Sequence, residues 1–244
     1  MSVAAHPSDQ PLGAPVTFAG ALAPARAPLP GARVTLAPVS AARDAGALYA
    51  LSHPPDGDPR IWTYLYDGPY RDPDALAADL SAREASTDPM FLTVLCDGEP
   101  RGMVAFCSIV PEHGTIELGH IFFAAGLART TAATEALFLL ASEAFDRLGY
   151  RRLEWKCNAL NAPSRAAAVR LGFRYEGTFA QHRVVKGHNR DTAWFAITDE
   201  RWPAVRAALT AWLDPANFTA DGTQRRPLGE LQAAAARGSE APDR

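Results

Sequence analysis

The sequence predicts a mixed α/β domain in which a mostly antiparallel, twisted sheet is flanked by helices. Three observations carry that prediction. Between Phe91 and Phe123, three strand-like runs follow one another with short turns between them. After Arg129, Leu137, Leu140, Ala141, Ala144, Phe145 and Leu148 recur at three- and four-residue steps, the cleanest helical period in the chain. Beyond that helix, strand-like and helical segments alternate, as they do when helices cover a sheet.

The elements follow in order. Val34 to Leu36 reads as a first strand and Ala41 to Leu51 as a short helix. Trp62 to Tyr70 is an aromatic loop closed by Gly68-Pro69. Pro73 to Thr87 is helical, with proline near its start and Leu76 and Leu80 one turn apart. Phe91 to Cys96 and Gly102 to Val110 are strands joined through Asp97-Gly98, and Thr115 to Phe123 adds a third strand to this antiparallel meander. The periodic helix after Arg129 stops at Gly149. Arg152 to Asn158 sets Leu153, Trp155 and Cys157 against Glu154, Lys156 and Asn158, the alternation of a half-exposed strand. Asn161 to Leu171 is a short capped helix ending at Gly172. Phe173 to Val185 and Thr192 to Ile197 form a final strand pair across Lys186 to Asp191, and a helix from about Glu200 to Leu213 closes the unit.

Composition bounds the rest. A chain of 244 residues with 48% hydrophobic content can bury one sizeable core. Residues 1–32, rich in Ala and Pro, read as a flexible tail, 33–213 as the folded domain, and 214–244 as a polar C-terminal tail in which Leu228 to Arg237 could form a short helix. A net charge of −3 without a basic block argues against nucleic acid as a partner. No apolar run is long enough to span a bilayer and the N-terminus lacks a signal-peptide pattern, so the expected location is the cytoplasm. Cys96, Cys107 and Cys157 sit in apolar or strand-like runs, which suits reduced, buried thiols. No metal site is expected.

The chemistry concentrates after the third meander strand. Ile116 to Phe123 leads into Leu127-Ala-Arg-Thr-Thr-Ala-Ala-Thr-Glu-Ala136, a polar turn opening a helix. Such a turn leaves backbone N–H groups unpaired and aimed at one spot, where a pyrophosphate could sit. Asn161-Ala-Pro-Ser164 and Leu171-Gly-Phe173 follow at a second helix. This order resembles the acetyl-CoA-binding half of the GNAT superfamily of N-acetyltransferases, over about Arg33 to Ile197. The run from Asn161 to Gly177 is similar to the Rim-type ribosomal-protein N-terminal acetyltransferases within it. The resemblance implies a sheet splayed at the cofactor site, acetyl-CoA as acyl donor, and an amine acceptor, either a peptide or protein N-terminus or a small molecule.

The resemblance also assigns residues. The family turn reads Gln or Arg, two residues, Gly, one residue, then Gly or Ala. Arg129 fits, while Ala132 and Thr134 stand at the small-residue positions. Arg129, Thr130, Thr131, Ala132, Ala133 and Thr134 are therefore the expected phosphate-binding segment, with the threonine hydroxyls as added donors; an ordinary Thr-capped helix start is the alternative. Asn161 would hold the donor, and a backbone N–H between Gly119 and Ile121 would polarise the thioester carbonyl. Many relatives carry a Tyr acid seven residues after this Asn, where this chain has Ala168; Rim-type enzymes are thought to use the Ser instead, which implies Ser164 as acid to the leaving thiolate, unless it is a helix cap alone.

An amine must lose a proton to attack. Glu117 falls where many relatives carry a central-strand Glu and is the first candidate base; His182 is the second. His120 lies three residues from Glu117, on the opposite strand face unless a bulge intervenes. The Rim-type base position, counted from Glu176, is occupied by Arg183. Trp62, Tyr64, Tyr66 and Tyr70 either cover the acceptor or form an aromatic core patch, and Arg190 and Asp191 read as a salt-bridged turn in preference to a substrate contact. The expected activity is direct acetyl transfer to a primary amine with no acyl-enzyme. A succinyl-CoA-dependent transferase and a non-catalytic CoA-binding sensor are the alternatives, and a homodimer is left open.

Overall fold

A computed structural model describes residues 11–239. Eight strands form one sheet in the order β1-β2-β3-β4-β5-β6-β8-β7. They are β1 Leu29–Pro30, β2 Thr35–Pro38, β3 Met90–Cys96, β4 Glu99–Val110, β5 Thr115–Phe123, β6 Arg152–Asn158, β7 Arg174–Val185 and β8 His188–Thr198. The helices are α1 Ala41–Ser52, α2 Pro73–Ala85, α3 Thr131–Ser142, α4 Ala162–Arg170, α5 Trp202–Leu213 and α6 Leu228–Ser239. Among the described residues no helix is long and apolar enough to cross a membrane.

Strand alternation explains the layering. On β4, Val104 and Phe106 face one side and Met103 and Ala105 the other. The first pair joins a core with Leu137 and Leu140 of α3 and Val205 and Leu209 of α5. The second pair packs with Leu48 of α1 and Leu76 and Leu80 of α2. Each buried aliphatic side chain of this kind contributes roughly 1.5–3 kcal/mol relative to exposure.

Two turns set the register. Asp97 and Gly98 both take left-handed backbone (φ +50 and +82), the requirement of a two-residue hairpin. Lys186 and Gly187 do the same (φ +51 and +76), so β8 begins at His188 and the final turn is far tighter than the Lys186 to Asp191 loop that the sequence suggests. The α3 helix also widens into a π turn at Glu143–Arg147 instead of continuing regularly to Leu148.

All neighbouring strands pair antiparallel except β5 and β6, which α3 connects as a crossover. Their pairing runs from Thr115↔Arg152 to Leu118↔Trp155 and stops, although β5 continues to Phe123 and β6 to Asn158. The sheet is thus parted along half of its central strand pair.

Both terminal stretches contact the domain. The first ten residues of the N-terminal stretch lie outside the described residues. Further on, Ala21 N–H donates to Pro111 (2.9 Å) and Leu22 N–H to Leu148 (2.8 Å), before β1 joins the sheet edge. At the other end, Leu228 and Leu231 of α6 are buried in the main core. Asn217 ties that segment down by donating to the Trp212 and Arg226 carbonyls at 3.2 and 3.1 Å. The composition is polar, but two leucines three apart suffice to dock one helix face.

Candidate functional site

The turn from β5 to α3 builds one half of the site. Thr130 is the N-cap of α3: its hydroxyl accepts from Ala133 N–H (3.1 Å) and donates to the Leu127 carbonyl (2.7 Å). The Thr134 hydroxyl donates to the Thr130 carbonyl (3.2 Å) and accepts from Arg170 (3.1 Å). The fold therefore uses both hydroxyls, and of the three threonines read as added donors only Thr131 keeps its hydroxyl free of protein partners. Arg129 is exposed, with left-handed backbone (φ +64) that bends the chain into the helix. Glu135 faces away, accepting from Ala32 and Arg33 N–H at 2.9 and 2.7 Å.

Two cavities flank this helix start. One of about 830 Å³ lies between α3, α4 and the C-terminal segment and is lined by Arg129, Thr131, Ala133, Arg170 and Trp212. The other, about 450 Å³, is lined by Arg33, Arg101, Thr131 and Ala132. Four arginines around the positive end of a helix dipole suit a polyanionic ligand such as the phosphates of an acyl-CoA.

The parted strands build the other half. A cavity of about 250 Å³ opens where β5 and β6 diverge, and Glu117, His120, Ile121, Asn161 and Ser164 all line it. Glu117 on β5 accepts from Lys156 of β6 (2.9 Å) and Ser108 of β4 (3.1 Å). Both bonds fall on Oε2, which leaves Oε1 without a protein donor. Lys156 also pairs with Glu154 at 2.8 Å and lies 4.3 Å from the Trp194 ring centre. Burial works against its charge, but the two carboxylates outweigh that and hold the ammonium above its ordinary pKa.

A bulge brings His120 to the same cavity as Glu117. The β4–β5 register shifts between Met103↔Phe122 and Ala105↔Gly119, and His120 takes φ +48. Burial, then the charge of Arg83, holds its pKa at about 4. Ser164 is the third residue of α4, and Asn161 caps that helix by accepting from Ser164 N–H (3.2 Å). The Ser164 hydroxyl accepts from Trp155 Nε1 (3.0 Å) and faces the Cys157 thiol, whose pKa it lowers against the larger effect of burial. Ala168, within α4, is fully buried and offers no acid of its own.

The structure does not bring every predicted residue together. His182 is not among the residues lining the cavity; its Nδ1 bonds the Thr192 hydroxyl (3.0 Å), and burial with the Arg183 and Arg190 charges lowers its pKa. The aromatic loop divides: Trp62 is buried core, its ring 5.3 Å from Phe122, whereas Tyr64 and Tyr66 line the cavity. Arg190 and Asp191 form no ion pair. Asp191 instead accepts from Gln181 N–H (2.7 Å) and Asn189 (3.0 Å). Burial pushes the Cys107 thiol up, with the Glu117 charge adding to it, and burial likewise raises Cys157. Lys156 and Trp155 escaped the sequence reading, because strand alternation gives a lysine's face but not the carboxylates across from it.

Comparison with known proteins fits this architecture. The chain belongs to the GNAT acetyltransferase family: the profile described as acetyltransferase (GNAT) domain matches residues 33–174. It is accordingly an N-acetyltransferase that draws on an acyl-CoA donor. A GCN5-related N-acetyltransferase from Brucella melitensis is 41% identical, with 88% of this chain and 97% of that chain covered and a TM-score of 0.84. A protein assigned to the GNAT family from Chromobacterium violaceum is 40% identical, covering 80% of this chain and all (100%) of its own, with a TM-score of 0.72. The RimL ribosomal L7/L12 alpha-N-protein acetyltransferase, 20% identical, shares the fold over 70% of this chain and 93% of its own, with a TM-score of 0.61. No curated protein matched.

Proposed function

We propose that this protein moves an acetyl group from acetyl-CoA to a primary amine, by direct attack of the amine on the thioester. The observation that carries the reading is the single cavity between the parted strands, which joins a carboxylate with one free oxygen, Glu117, to the hydroxyl of Ser164, oriented by Trp155. The donor supplies an activated acyl group on a thiol. The N-terminus of α3, with Arg129, Thr131 and Ala132, holds its phosphates, and the Asn161 amide and the unpaired edge of β5 near Ile121 orient the reacting end.

Glu117 Oε1 takes the proton that the ammonium must lose. A carbon–nitrogen bond then forms as the carbon–sulfur bond breaks, with a β5 backbone N–H between Gly119 and Ile121 polarising the carbonyl oxygen. Ser164 gives its proton to the departing sulfur and recovers one, by way of solvent, as the new amide nitrogen sheds its second proton. No thiol is needed as a relay, since Cys107 and Cys157 are buried and shifted away from the thiolate. Acceptors include small amines and peptide N-termini; the fold shared with RimL makes the latter a necessary part of any panel.

Calorimetry and a thiol-release assay test the reading. Acetyl-CoA at a hundredfold excess over its Kd should stabilise the fold by about 2.7 kcal/mol. Acetyl-CoA should release CoA with some members of an amine and peptide panel, faster than succinyl-CoA does. Failure of any CoA thioester to bind, or an acetyl-cysteine that passes its acyl group on, would overturn it.

A further inference from the structure

Among the described residues, Arg190 is the least explained charge. It is 5% exposed, and its Nε and Nη1 are buried without a hydrogen-bond partner. Its guanidinium carbon lies 4.5 Å from the Tyr66 ring centre, and Arg183 approaches the same ring at 5.9 Å. An aromatic face attracts a cation but accepts none of its in-plane N–H bonds. The nearby carboxylates are engaged elsewhere: Asp67 with Arg83 at 2.6 Å, Asp191 with Gln181 and Asn189, Glu117 with Lys156 and Ser108. A buried guanidinium left this way is costly unless something else completes it.

Its position says what that something is. Arg190 lines the reaction cavity and also the adjoining cavity of about 620 Å³ bounded by Trp62, Tyr64, Leu160 and Lys186. It therefore stands where an acceptor entering from outside would pass toward Glu117. The reaction cavity sets one carboxylate, Glu117, against Lys156, Arg183 and Arg190, so it is short of negative charge. The donor's phosphates do not supply it, because the cavities at the α3 N-terminus share no lining residue with this one.

Resting on the acetyltransfer reading above, we infer that Arg190, backed by Arg183, binds a carboxylate on the acceptor, so that the preferred substrate is an amine carrying a carboxylate close to its nitrogen. The planar guanidinium fork matches a carboxylate in shape and charge. The carboxylate could belong to a free amino acid or to an acidic residue at the start of a peptide.

The test is a set of matched acceptors on the full-length enzyme with acetyl-CoA: serine, serinamide and ethanolamine, and Ser-Asp-Ala-amide against Ser-Asn-Ala-amide. The carboxylate-bearing member of at least one set should exceed its neutral counterparts in kcat/KM by about 30-fold or more. The set showing the preference identifies the source. In Arg190→Gln that ratio should fall toward one, and Arg190→Lys should keep part of it. Equal turnover of neutral and carboxylated members, or a preference that survives in Arg190→Gln, overturns the inference while leaving acetyl transfer standing. If nothing turns over, the acetyltransfer reading fails instead, and calorimetry of N-acetylserine and the N-acetylated acidic peptide with the CoA-bound protein decides this one. Binding lost in Arg190→Gln supports it, and no binding to the wild type overturns it.

Discussion

Replacing His120 with asparagine should change how the protein responds to acid. His120 sits in the β5 bulge at φ +48, a backbone region that Asn tolerates better than most residues, so the substitution keeps the bulge. Its ring packs 5.0 Å from Phe91 and 6.0 Å from Tyr66. Burial and the neighbouring Arg83 charge disfavour its protonated form, which places its pKa at about 4 against an ordinary 6.5. Between those values the unfolded chain binds a proton that the folded chain refuses. The stability tied to this ring is therefore whole above about pH 6.5 and drains away as pH falls to about 4. Across that interval the loss reaches roughly 3 kcal/mol, at about 1.36 kcal/mol per pH unit. Urea unfolding of both proteins at several pH values between 4 and 7.5 measures it: the gap between wild type and His120→Asn should shift by about that amount in favour of the variant as pH falls. Parallel curves would refute the reasoning, as would an imidazole NMR titration with a midpoint near 6.5.

Other outcomes follow from the same geometry. Lys156→Met removes the only cation bonded to Glu117 among the described residues, whereas Glu154 keeps Arg152 at 2.7 Å. With the Glu117 carboxylate no longer held in place, kcat/KM should fall by about tenfold, and an unchanged value would remove Lys156 from the positioning of Glu117. Ser164→Ala should lower turnover by about 10²-fold or more and leave acetyl-CoA affinity, read by calorimetry, nearly intact. Equal losses in both would make Ser164 a structural cap. Leu231→Ala should destabilise the fold by about 2–4 kcal/mol in denaturant, a loss that a solvated tail would not show.

The fold was legible because its signals are local. Each strand of the meander, the periodic α3 and the Asn161 cap announce themselves within about a dozen residues. The final hairpin was misjudged because Asn189 to Asp191 look like turn residues, while the left-handed pair at Lys186-Gly187 already closes the loop. In the terminal segments, composition averages over a stretch and hides the few side chains that dock it, Leu228 and Leu231 above all. The site was legible only in part. Glu117 and Ser164 lie on different elements, yet motif spacing singles out each of them. The Lys156 bridge, the His120 bulge and the unpartnered Arg190 depend on which strands face one another, and strand order across a crossover is not a local property.

The turn from β5 to α3 shows why a departure from a motif can leave its geometry whole. A glycine is indispensable where backbone must enter the left-handed region, and less so where only close approach matters. In this chain the left-handed residue of the turn is Arg129, at φ +64, while Ala132 and Thr134 lie within the helix that begins at Thr131. Neither position asks for glycine's freedom, and alanine's methyl at 132 adds little bulk beside the N-terminal N–H groups. Thr134 turns inward, 4% exposed, where its hydroxyl receives Arg170 and fixes that arginine beside the larger cavity. What looks like an eroded glycine motif is a turn that assigns its strained position to an arginine and uses its last threonine to orient another.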